Sequence, residues 1–122
     1  MAKAAPDATI DASLDYIAAS NVQIACSAEP ANYAGIAAVA LADVAMVGGD
    51  YTKANGDVSG RKVTMAAKTG ASVDTAGTAT HVVLANSGDS TLRYVTTCTA
   101  QALNTGNTVN FPTWKIEIAD PT

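Results

Sequence analysis

From Val22 onward, apolar residues fall at every second position in short runs, and Gly, Asn, Asp or Pro closes each run. A two-residue period is the pattern of a strand, whose successive side chains point to opposite faces. One segment departs from it. Ile10, Leu14 and Ile17 recur at the spacing of one helical face, with Asp11 and Asp15 on other faces. This predicts a single amphipathic helix that Asp7 caps and that ends near Ser20-Asn21. The chain therefore has to bury one helix against a set of short strands.

The runs can be placed one by one. Val22, Ile24 and Cys26 alternate with Gln23, Ala25 and Ser27, which predicts a half-buried strand broken by Glu29-Pro30-Ala31-Asn32. Residues 39–46 read as a strand although their alanines favour helix. Gly48-Gly49-Asp50 and Asn55-Gly56-Asp57 read as turns, and residues 61–68 alternate cleanly. A small-residue loop over 69–77 has room for a short strand at 71–73. Residues 78–85 and 91–99 form the clearest hairpin, turned by Asn86-Ser87-Gly88-Asp89. Two further strands, near 107–111 and 114–118, flank Pro112, which marks an edge or a bend. The expected fold is mainly β: an antiparallel β-sandwich of about seven strands with one N-terminal amphipathic helix. Residues 1–6 are expected to be a flexible arm and residues 7–122 a single domain.

Composition limits what such a domain can do. The hydrophobic fraction is 48%, but 26 of those residues are alanine, and aromatics make up only 5%. The core must come from Val, Ile, Leu and small side chains. Charged residues are 15% of the chain, well below the usual quarter, as suits a surface that partners cover. Seven Lys and Arg against eleven Asp and Glu give a net charge of −4. The positive residues are scattered from Lys3 to Lys115, so no basic patch is expected to hold nucleic acid. The longest apolar run, residues 36–42, is too short to cross a membrane, and the first residues lack the apolar stretch of a secretory leader. Cys26 and Cys98 lie far apart outside any C-x-x-C pair. Two small buried thiols, unpaired in a reducing compartment, are expected.

The residue types that carry chemistry lack the company chemistry needs. The single His81 sits in a predicted strand with no nucleophile elbow elsewhere, and reads as a core or interface residue. Asp50, Asn55 and Asp57 miss the spacing of a calcium loop and read as a hairpin turn. Asp11 and Asp15, one helical turn apart, read as a solvated face. Tyr16, Tyr33, Tyr51, Tyr94, Phe111 and Trp114 form no stacking ladder, and Trp114 beside Ile116 and Ile118 reads as a core anchor. No catalytic residue, metal ligand or cofactor is expected, and the chain is not expected to be an enzyme.

Four segments carry a resemblance. They are Leu14-Asp15-Tyr16-Ile17 running into Cys26-Ser27-Ala28-Glu29-Pro30 and Tyr33; Gly56-Asp57-Val58-Ser59-Gly60-Arg61-Lys62-Val63; Gly77-Thr78-Ala79-Thr80-His81; and Ile116-Glu117-Ile118-Ala119-Asp120-Pro121. In this order, across nearly the whole chain, they resemble small virion structural proteins of tailed bacteriophages, capsid decoration (cement) proteins in particular. The resemblance implies a protein of the capsid surface, assembled in the host cytoplasm. It implies binding across neighbouring subunits of the major capsid protein, and self-association, with a homotrimer as the simplest form that matches a lattice. A tail or head–tail component is the alternative, and a carbohydrate-binding β-sandwich a more distant one. Expected contact residues are Ala2, Lys3, Ala4, Ala5 and Pro6 of the arm, Asn32 and Tyr33 in one loop, and Tyr51, Lys53 and Arg61 around another.

Overall fold

The computed structural model describes residues 5–120. The helix α1 (Asp7–Ala18) is followed by β1 (Val22–Cys26), a 3-10 turn (Tyr33–Gly35), the single-turn helix α2 (Ile36–Val39) and β2 (Ala40–Ala45). A second 3-10 turn (Gly48–Asp50) leads into β3 (Tyr51–Asn55), β4 (Arg61–Met65) and β5 (Lys68–Ser72). The long hairpin β6 (Gly77–Asn86) and β7 (Thr91–Leu103) precedes β8 (Thr108–Phe111) and β9 (Trp114–Ile118). All pairings are antiparallel, in three sheets ordered β2-β1-β6-β7, β3-β4-β9 and β5-β8. The protein is mainly β, sandwich-like, with an N-terminal helix, as expected.

Helix α1 wedges between two of the sheets. Its buried stripe, Ile10, Leu14 and Ile17, meets Leu84 of the four-stranded sheet and Val63, Met65 and Ile116 of the three-stranded one. A second cluster fills the space between the four-stranded sheet and the β5-β8 pair, where Ala25, Leu41, Ala79 and Leu103 face Ala71 and Phe111. A third lies on the outer face of the four-stranded sheet. There Ile24, Cys26, Val83 and Ala85 are covered by Ile36 and Tyr33 from the segment between β1 and β2.

That outer cover corrects the reading of β1. Both of its faces are buried, because it is a central strand with core below and the α2 segment above. Gln23 is consequently fully buried, and its Oε1 accepts a hydrogen bond from Trp114 Nε1 at 2.7 Å. Among the described residues nine strands form rather than about seven. β3 escapes the alternation rule because Lys53 stands where an apolar residue would, its ammonium paired with Asp15 of α1 at 2.5 Å. Asp7 is not the cap: Pro6 occupies the N-cap, its carbonyl accepting from the N–H groups of Thr9 and Ile10, and Asp7 begins the first turn. A proline there loses no helical donor. Residues 39–46 also divide differently, with α2 ending at Val39 and β2 beginning at Ala40.

Candidate interaction surfaces

The charged side chains of the first turns and strands are largely spent inside the molecule. Arg61 Nε donates to Asp11 Oδ1 at 2.9 Å, while its Nη1 reaches Asn55 Oδ1 at 2.8 Å. The Asp11 carboxylate raises the pKa of the Arg61 guanidinium above its ordinary value, keeping it charged. Asp11 and Asp15 are therefore partners of β4 and β3 rather than a free solvated face. Tyr51 is half-buried, and its hydroxyl donates to the Ser20 carbonyl at 2.9 Å. Burial, with the Asp50 charge beside it, pushes its pKa up to about 12. Lys68 and the Val47 N–H in turn hold the Asp50 carboxyl below its ordinary range. The structure thus brings Tyr51, Lys53 and Arg61 together as latches between α1 and the three-stranded sheet.

The other expected contacts fall elsewhere. Ala2, Lys3 and Ala4 lie outside the described residues. Ala5 packs at the edge of the helix cluster and Pro6 caps the helix. Asn32 is exposed and its Oδ1 accepts from the Gly35 N–H at 2.9 Å, while Tyr33 packs over the outer-face cluster. These two sit on the opposite side of the four-stranded sheet from the latches.

The sequence reads Asn55-Gly56-Asp57 as a plain turn. The structure makes residues 56–60 a braced platform. Gly56 N–H donates to Gly60 O at 2.9 Å, and Asp57 N–H to Glu117 Oε1 at 2.5 Å. Lys62 and Lys115 both pair with the Asp57 carboxylate, and Asp120 N–H donates to Ser59 Oγ. Gly60 has φ +69°, and a Cβ there would run into the Ile118 carbonyl, so the position admits only glycine. At the tip stands Val58, 92% exposed. The signal was present in the sequence as an apolar residue between Asp and Ser in a glycine-bounded turn.

A third surface runs between β7 and the β8–β9 connection. Across from Thr80 the ladder slips, His81 facing Thr97 while Ala79 faces Gln101, so Cys98, Thr99 and Ala100 bulge out of register. The bulge aims Cys98 and Thr99 into an open trough. Adjoining spaces of about 200 and 280 Å³ make up its apolar part, floored by Val82, Phe111, Pro112 and Trp114. Trp114 is half-buried there, stacked obliquely on Tyr94 with centroids 6.0 Å apart. A third space, of about 360 Å³, continues it past Gln101, Asn104, Asn107 and Asn110.

The two cysteines separate across the four-stranded sheet. Cys26 is buried on the outer face, and Cys98 is exposed on the trough side, correcting the expectation of two buried thiols. Both are free. Desolvation, with a smaller contribution from Cys98, pushes Cys26 up to about 11, which keeps it a thiol. His81 is its cross-strand partner, and the Thr80 hydroxyl lies 2.8 Å from His81 Nδ1 while donating to the Ser27 carbonyl. With Thr80 already a donor, Nδ1–H is the tautomer that satisfies this contact. Among the described residues no helix is long and apolar enough to cross a membrane. Comparison of the chain with protein-family models, curated proteins and solved structures finds no match.

Proposed function

We propose that this chain is a structural virion protein that decorates a tailed-bacteriophage capsid, binding across neighbouring subunits of the major capsid protein. The observation that carries this reading is the braced 56–60 loop. It belongs to one of the segments on which the resemblance rests, and it holds an apolar side chain rigidly in solvent at 92% exposure. A monomer gains nothing from that arrangement, whereas a binding surface gains a contact ordered before it meets its partner. The internal use of Arg61, Lys53, Asp11 and Asp15 agrees with it, because charges tied within the fold leave contacts of shape and apolar area. Binding then works by buried area, without chemistry. The exposed Asn32 loop and the N-terminal arm are the remaining contacts of this proposal.

Phage particles that encode the chain test the reading. Decoration predicts copies at lattice positions on the head in a low-resolution map, removed and restored by adding purified protein. Val58→Asp should melt at the wild-type temperature, since Val58 touches little, yet re-occupy stripped heads several-fold less well. Density in rings along the tail would replace the reading by the tail alternative. Absence from the particle would overturn both.

A further inference from the structure

We infer that the uncharged trough beside β7 is the surface through which copies of this chain meet one another. This goes beyond the virion reading and stands without it, because it concerns the isolated chain alone.

Three observations converge. From Tyr94 to Trp114 the sequence contains no Asp, Glu, Lys, Arg or His, and this stretch supplies most of the trough. None of the other residues lining it is charged either. Each copy carries a net charge of −4, so two copies repel at long range. The trough lets like meet like with no charge opposed to its own image. Identical patches meet in this way about a two-fold axis.

The edges of the sheets point to the same place. An unpaired strand edge invites another chain, and proteins guard it with charge or cover. The β2 edge is covered, for Leu41 O accepts from Asp74 and Thr75 and Ala42 bridges Val73, and Asp43 stands exposed on it. Lys53 stands on β3, Lys68 on β5, and Lys115 with Glu117 on β9. The unpaired edges of β7 beyond Arg93 and of β8 carry no charge, and both border the trough. The Cys98–Ala100 bulge interrupts the β7 edge, so the contact is made side chain to side chain across the trough instead of by a continuous ladder. The apolar floor supplies the area, and the carboxamides of Gln101 and Asn110 supply donors and acceptors at the rim.

The test is sedimentation of the purified chain from micromolar to millimolar concentration, with the rate of maleimide attachment to Cys98 followed in the same samples. Association through the trough predicts a rising sedimentation coefficient and a several-fold slowing of Cys98 labelling as the oligomer forms. Gln101→Glu and Asn110→Asp keep shape and add a carboxylate to every copy. Each should weaken association several-fold and recover it when salt screens the added charge. Glu29→Gln, away from the trough, should leave association as in the wild type. Melting curves identify a variant that fails to fold, and the second variant then carries the test. A monomer at every concentration with unchanged labelling overturns the proposal. So does association that leaves Cys98 open or ignores both new carboxylates. Self-association without binding to heads would sink only the capsid reading, and binding to heads by a monomer would sink only this one.

Discussion

The Cys26 thiol shows what burial does to a group that chemistry would otherwise use. It stands across the strand from His81, as a nucleophile stands to a base, yet burial holds it protonated up to about pH 11 where a free thiol ionises near 9.0. Tyr51 behaves alike, held to about 12 from 10.0. Between these limits the unfolded chain has released protons that the folded chain retains, so stability falls as pH rises. The urea midpoint should decline from about pH 9 upward, and Cys26→Ala should shift the onset toward the tyrosine range. Gln23 and Trp114 form the other decisive pair. Trp114→Phe leaves the buried Gln23 carbonyl without its donor and should cost about 1–3 kcal/mol, with part recovered in the Gln23→Leu, Trp114→Phe double variant. Neither partner announces the bond in sequence. Alternation assigns Gln23 to solvent, and only the core beneath β1 places it indoors.

Elements were legible where one face meets water and the other meets core. Helix α1 shows its 3.6-residue stripe plainly, and the β6–β7 hairpin its turn residues. β3 was hidden because an ion pair substitutes for an apolar contact, and β5 was legible only at its end, as the short strand at 71–73, because Gly70 and small residues carry little pattern. The helix has two kinds of attachment, and they should differ in size and in salt response. Leu14→Ala opens a cavity at a fully buried position and should cost about 2–5 kcal/mol by urea unfolding. Asp11→Asn removes one side of the Arg61 latch near the surface. Its effect should be smaller and should shrink further in high salt. Of the candidate surfaces, the 56–60 loop lay within a segment already singled out. The trough was not legible, because it is assembled from β1, β6, β7 and the β8–β9 connection, whose residues are distant in sequence.

Across the whole molecule, stability on the acid side depends on a few carboxylates. Asp50 is held below its ordinary pKa by Lys68, and Asp89 by Thr91 and Arg93. A carboxyl depressed in the folded state stabilises above its unfolded value of 3.8 and loses that contribution as pH falls through the folded one. The urea midpoint should therefore be level in mildly acid solution and fall below about pH 4, with a shallower fall in Lys68→Ala. The pairing of β4 with β9 has a further consequence, at the moment of synthesis. Strand β9 is synthesised well after α1, yet its Ile116 closes the cluster that holds Ile10 and Leu14 of that helix. The helix has only part of its seat until β9 arrives. Nascent chains must then wait as an incomplete sandwich, and a product truncated before Trp114 should be cut by added protease faster than the whole chain, its helix cluster being open.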